Sequence, residues 1–270
     1  DFNFTVQADD ASLQTAIKSL GLTVAEWVAR YNGPGNGSDG VDAMAVDTSG
    51  NVYVTGRSYG SGTDFDYATI KYNGSGVEQW AARYNGPDSG QDDVYDIAID
   101  SMGNVYVTGT VLWGGKRDIA TIKYNSLGVE QWAARYNGPA DNTDGGRAIT
   151  VDSSGSVYVA GGSYGSGTDG DYITIKYNSS GVEQWVARYN GLGNGNDWCS
   201  DIAIDSTGNV YVTGRCYGSG SSGDYATIKY NSVGVEQWVA SYNGPENSSD
   251  TSQGIALDSS GSVYVTGTSG

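Results

Sequence analysis

The side chains with the plainest chemical potential are carboxylates that return at one place in a repeating pattern. Asp66, Asp118, Asp171 and Asp224 recur at near-constant spacing, and Asp64 and Asp169 add a second carboxylate beside two of them. Carboxylates and carbonyls in Gly-rich loops are calcium chemistry, although no loop here has the spacing of a known calcium loop and Asp also caps its own turn. Two carboxylates held in different environments can hydrolyse a glycoside, yet the same Asp appears in every unit and no pair is singled out. The chain has no His, which removes Ser-His-Asp, Cys-His and His-based zinc sites. The expectation is a non-catalytic protein with no catalytic, cofactor-binding or metal residue assigned, calcium being the one cofactor left open.

Aromatic residues form a second set. Tyr59, Tyr164 and Tyr217 lie on repeated Gly-Ser loops, and Trp113 lies in Leu112-Trp113-Gly114-Gly115-Lys116-Arg117, which replaces that loop once. Rings beside Asn, Asp and Ser suit sugars, so these four make a candidate ligand or partner face; the competing reading is that each ring covers an edge of its own sheet. Cys199 and Cys216 are a candidate disulfide. The turn from Asp205 to Asn209 sets a register that leaves them on opposite faces unless another bulge intervenes. Asn3, Asn36, Asn73, Asn178 and Asn247 stand in Asn-x-Ser/Thr sequences and are candidate glycosylation sites.

These residues are set in a chain of 270 with a formal charge of −17, which argues against nucleic acid as a partner. Its 25 Asp, 6 Glu and 42 Gly favour turns over long helices. No apolar run approaches the ~18 residues of a membrane span. The chain opens Asp1-Phe2-Asn3-Phe4, which reads as a processed or trimmed terminus.

Repeats settle the architecture. Tyr of a Val-Tyr-Val-Thr-Gly string falls at 53, 106, 158, 211 and 264, and Trp at 27, 80, 132, 185 and 238. Between them Thr-Ile-Lys-Tyr-Asn occurs four times, at 69 to 73, 121 to 125, 174 to 178 and 227 to 231. Asp47/Gly50, Asp100/Gly103, Asp152/Gly155, Asp205/Gly208 and Asp258/Gly261 mark type I turns with a glycine bulge, and Asn73/Gly76, Asn125/Gly128, Asn178/Gly181 and Asn231/Gly234 mark a second series. In the simplest register Ile70 faces Trp80 and Tyr67 faces Arg83. Each unit is thus four short antiparallel strands with packing residues on both faces, the blade of a β-propeller.

The fold expected is all-β: one domain over 1–270, a five-bladed propeller whose fifth blade is closed by both ends of the chain. Residues 22 to 32 supply a fourth strand for that blade. Its third strand is assigned to residues 4 to 9, leaving 10 to 20 as an inserted short helix capped by Asp10 and Gly21; the alternative lays Thr15 to Lys18 in the sheet. Phe2, Phe4 and Val6 form an assembly strand that pairs within its own chain or with a neighbour's open edge.

The string Asp-Ser-x-Gly-Asn-Val-Tyr-Val-Thr-Gly, followed by Asp-Tyr-Ala-Thr-Ile-Lys-Tyr-Asn and Gly-Val-Glu-Gln-Trp, resembles the prokaryotic β-propeller repeats called SBBP, which are similar to NHL repeats. The resemblance spans roughly residues 22 to 270. It implies that strand one is innermost and that the setting is secreted or cell-surface, and it implies no reaction. The functional expectation is a structural or assembly module that self-associates or meets a surface partner through its N-terminal strand, and the alternative is a multivalent glycan-binding propeller.

Overall fold

The computed structural model describes residues 27–217 and 223–269. All regular structure among them is antiparallel β. The first blade comprises β1 (Ala43–Val46), β2 (Val52–Tyr59), β3 (Phe65–Tyr72) and β4 (Glu78–Tyr84). The second comprises β5 (Asp93–Ile99), β6 (Val105–Trp113), β7 (Lys116–Tyr124) and β8 (Glu130–Tyr136). The third comprises β9 (Asp144–Val151), β10 (Val157–Tyr164), β11 (Gly170–Tyr177) and β12 (Glu183–Tyr189). The fourth comprises β13 (Trp198–Ile204), β14 (Val210–Cys216), β15 (Asp224–Tyr230) and β16 (Glu236–Tyr242). A two-stranded sheet of β17 (Thr251–Leu257) and β18 (Val263–Thr268) follows. The first strands β1, β5, β9, β13 and β17 touch one another in succession, so they are the inner strands of the stack.

The hairpins are set by local chemistry. Gly50, Gly103, Gly155, Gly208 and Gly261 have φ between 77° and 84°, as the bulged turn requires. Asp47 accepts hydrogen bonds from the backbone of Ser49 and Asn51, from the Asn51 amide and from the Tyr53 hydroxyl; Asp100 and Asp205 repeat the set, and Asp152 and Asp258 accept a Ser hydroxyl in place of the amide. The second turn ties strands three and four, with a further bulge after Lys71. That bulge moves the register by one residue from the simple expectation. Ile70 faces Ala81, Tyr67 faces Tyr84, and Trp80 stands opposite Lys71. Lys71 and Trp80 consequently share a face and flank the Tyr53 ring, at 5.0 and 6.1 Å.

Trp80 also reaches the next blade. Its ring lies 6.4 Å from Tyr124, and its indole N–H donates to the Ser126 carbonyl at 3.1 Å. Trp132 repeats this with Tyr177 and Ser179, and Trp185 with Tyr230 and Ser232. The ring rests on the glycine of the next blade's turn: a Cβ on Gly128 would meet Trp80 at 2.6 Å.

A third device shapes the inner strands. Four of the five carry a bulge, at Tyr95, Arg147, Ser200 and Gln253, and it drives a carbonyl against the Gly of the neighbouring Thr-Gly or Ala-Gly pair. A side chain on Gly109, Gly161, Gly214 or Gly267 would strike the carbonyls of Asp93, Gly145, Trp198 and Thr251. Those glycines are therefore obligatory.

Residues 27–32 differ from expectation, because they form no strand although Trp27 sits where an outer strand's Trp belongs, 5.8 Å from Tyr72. A fourth strand needs a third to pair with, and the residues assigned to it, Phe2, Phe4 and Val6 with their neighbours, lie outside the described residues, as do the helix expected near 10 to 20 and Asn3.

The Trp–Gly contact yields a paired test. Gly50→Ala meets open space and bears only the left-handed backbone cost, about 1 kcal/mol. Gly128→Ala bears the same cost and displaces Trp80, so it should lose about 1–3 kcal/mol more in urea unfolding. Equal losses would show that the Trp latch does not bear on stability.

Candidate interaction site

The interblade connections and the loops joining strands two and three share one face. The Gly35 N–H donates to the Tyr59 carbonyl at 3.1 Å, and the Asp92 N–H to the Phe65 carbonyl at 2.7 Å. The connections are built on a buried Asp: Asp92, Asp144, Asp197 and Asp250 each accept the N–H of the glycine six residues earlier, and Asp92 also accepts from Leu112 at the end of β6. Burial pushes the Asp92 carboxyl up to about 6.

The sequence candidates on this face are held by their surroundings. A side chain on Gly37 would meet the Tyr59 ring, and one on Gly195 the Tyr217 ring, so each ring covers a connection. Tyr59 further packs edge-on against Phe65, and Arg215 lies 4.7 Å over Tyr217. Trp113, at the end of β6, has the Arg135 guanidinium 4.5 Å above it. Tyr164 ends β10, half-buried. The four rings are one per blade, with Tyr59 39% and Trp113 37% exposed and Tyr164 and Tyr217 half-buried.

The repeated carboxylates bind arginine. Asp66 pairs with Arg83 at 2.8 Å, Asp118 with Arg135 at 2.5 Å and Asp171 with Arg188 at 2.7 Å, tying strand three to strand four. In the fourth blade Ser241 stands where the Arg would be, opposite Asp224's strand. Among the described residues no group of three or more His, Cys, Asp or Glu is placed to hold a metal ion.

Of the candidate disulfide pair, Cys199 and Cys216 are both free and buried in the structure. The bulge at Ser200 does intervene, but it sets Cys199 opposite Gly214, while Cys216 faces Asp224 on the other side. The Cys199 thiol donates to the Thr213 carbonyl at 3.2 Å, and burial pushes both thiols up to about 12. The sequon asparagines serve turns. Asn73 and Asn178 accept from the backbone two and four residues on, while Asn36 and Asn247, at φ 51° and 50°, accept from Asn32 and Asn243.

What the repeat does not satisfy lies at its two ends. Tyr264 is 59% exposed, whereas Tyr53, Tyr106, Tyr158 and Tyr211 are at most 3% exposed. Met44 is 67% exposed, whereas its equivalents Ile97, Ile149 and Ile202 are at most 7%. Trp238 is 36% exposed and has no strand-three Tyr beyond it among the described residues. Among the described residues β18 pairs with β17 on one side only. On the first blade a cleft lined by Trp27, Ala29, Tyr31, Val54, Ile70 and Tyr72 faces outward. Each matches one side of an interior blade boundary, and no sequence pattern marks them because every copy of the repeat carries the same residues.

The SBBP beta-propeller repeat profile matches residues 26–65, 79–110, 184–219 and 237–270, just over half of the chain. The chain belongs to this beta-propeller repeat family. It is similar to the regulatory protein FlaEY of Caulobacter vibrioides, 33% identical over 135 residues, a match covering 44% of this chain and 14% of that protein. Among solved structures, a gluconolactonase from Xanthomonas campestris aligns over 84% of this chain and 69% of its own at 13% identity and a TM-score of 0.46. A Synechocystis apocarotenoid oxygenase aligns over 94% and 60% at 11% identity and a TM-score of 0.48. Likeness at that level carries no argument about activity.

Electrostatics of the inner strands give a pH test. Asp96 accepts the N–H of Ile97 and, across the blade boundary, that of Ile149 at 2.8 Å; burial nevertheless pushes its carboxyl up to about 6. A carboxyl raised in the fold adds stability that is complete below its usual range near 4 and is lost as pH climbs through about 6. The urea midpoint should therefore rise from pH 7 to pH 5, and Asp96→Asn should shrink that rise without abolishing it, because Asp92 remains. An unchanged rise in the variant would contradict the assignment.

Proposed function

We propose that this chain is a non-catalytic structural module of the cell exterior, a five-bladed propeller whose last blade is completed by a strand bound along the open edge of β18. The observation that carries the reading is the exposure of Tyr264 and Met44, whose equivalents Tyr53, Tyr106, Tyr158 and Tyr211, and Ile97, Ile149 and Ile202, are buried at the interior boundaries, together with Trp238, which is exposed where Trp80, Trp132 and Trp185 are half-buried. A strand laid beside β18 would satisfy its unpaired N–H and C=O groups and bring a ring over Trp238, as Tyr230 covers Trp185. Trp27 already packs on Tyr72 as the outer strand of such a blade would.

The strand is supplied by residues before Trp27, with Phe2, Phe4 and Val6 as its apolar face. Donated to a neighbouring copy, it links modules into an assembly; retained, it closes the ring of its own chain. The repeat's symmetry and the use of Asp66, Asp118 and Asp171 as partners of arginine support a role without chemistry.

Sedimentation of the full chain and of a chain lacking residues 1–7 tests this. Oligomers that disappear on deletion, with the far-UV spectrum largely kept, are expected. A full chain already monomeric before deletion would refute assembly and leave self-closure.

A further inference from the structure

One position of the repeat carries a different kind of side chain in every copy. The bulged residue of each inner strand is Tyr95, Arg147, Ser200 and Gln253, with Asp42 at the same position of the first blade. Phenol, guanidinium, hydroxyl, amide and carboxylate thus replace one another where the turns, the Tyr and the Trp do not vary. The bulge explains why this position is free. Its side chain is taken out of the alternation that buries its neighbours, so Arg147 is exposed between buried Gly146 and Ala148. The inner strands touch in succession, β1 to β5, β9, β13 and β17, which places their bulges side by side.

Arg147 occupies the middle of this group. Its guanidinium lies 4.2 Å over the Tyr95 ring of the preceding blade and 5.7 Å from the Trp198 ring of the following one. Trp198 is seated by a departure from the repeat: Gly145 and Gly162 are cross-strand partners, and a side chain on Gly162 would collide with the indole. Arg57 and Arg215 stand at the positions equivalent to Gly162 in the first and fourth blades. The third blade has given up its side chains there, and the adjacent Trp fills the slot.

The other arginines outside the repeat pattern have polar partners. Arg57 and Arg117 share Asp93, at 3.5 and 2.9 Å, and Arg215 donates to the Tyr217 hydroxyl. Among the described residues no carboxylate lies within ion-pair distance of Arg147. Rings pack near its faces, which leaves the planar fork of N–H donors along its edge, the arrangement that takes a carboxylate through two parallel hydrogen bonds. Lys71, Lys123, Lys176 and Lys229 also lie over single Tyr rings without a carboxylate partner among the described residues, but each belongs to the repeat, whereas Arg147 occurs once and lies near two rings.

We propose that Arg147, held between Tyr95 and Trp198, anchors a single binding site for a sugar acid at the loop end of the inner strands. The carboxylate of the ligand meets the guanidinium edge. The Ser200 hydroxyl, the Gln253 amide and Asp42, at the remaining bulges, offer donors and acceptors for a hydroxyl-rich body rather than an apolar one. The high negative charge of the chain favours a ligand with one carboxylate over a polyacidic peptide or nucleic acid. The site is separate from the β18 edge and does not depend on assembly.

The test is calorimetric titration of the full chain with sodium D-galacturonate, D-galactose, sodium acetate and an acidic hexapeptide at one ionic strength. Saturable binding of galacturonate is expected, with galactose and acetate each at least tenfold weaker. Arg147→Gln should weaken galacturonate at least tenfold while the far-UV spectrum stays unchanged. Arg147→Lys keeps a cation near the rings but loses the fork, and should weaken it similarly; it decides the matter if the glutamine variant does not fold. No saturation, equal binding of galactose, or tighter binding of the peptide would overturn the proposal, as would galacturonate affinity unchanged in both variants.

Discussion

The contact on which the stack depends is an indole laid on a glycine. Trp80 crosses from β4 to the turn at Gly128, where it covers Tyr124 and donates its only N–H to Ser126. Large aromatic area is buried with its one polar group satisfied, which is the condition for placing Trp between sheets. The turn that receives it needs φ near 78°, so the glycine that permits the turn is also the flat seat for the ring. Because the outgoing Trp and the incoming glycine belong to the same repeat, one sequence specifies both sides of every boundary.

Around that contact the polar groups are arranged so that burial is tolerable. Asp66, Asp118 and Asp171 hold arginines of strand four; Asp92, Asp144, Asp197 and Asp250 hold backbone N–H groups of the connections. The large acidic excess is therefore partly internal wiring. Where a buried carboxylate has only backbone N–H donors, as at Asp92 and Asp96, its pKa rises to about 6. Where an exposed turn supplies many donors, as at Asp258, it falls below the usual range.

A repeat architecture also concentrates its unsatisfied surface. Interior boundaries are filled on both sides, so only the terminal ones expose their packing residues, and the exposed set is dictated by the repeat rather than selected separately. Tyr264 and Met44 are exposed for the same reason that Tyr106 and Ile97 are buried. The bulged positions of the inner strands, which fall outside the alternation of buried side chains, carry a different residue type in every copy.

Much of this was legible in the residues. The period near 53, the two series of Gly turns and the four-strand unit follow from local spacing, since turn chemistry acts over four or five residues and reads directly from Asp, Asn and Gly. What required tertiary structure were features in which two distant segments meet. The bulge after Lys71 turns Trp80 toward Lys71 instead of Ile70, and a second bulge sets Cys199 against Gly214 where the uninterrupted register would set it against Arg215. A bulge shifts every later pair by one residue, and nothing local to either strand announces it. The union of Tyr95, Arg147 and Trp198 was hidden for the same reason: they come from three inner strands, about fifty residues apart, and are neighbours only because the blades pack side by side.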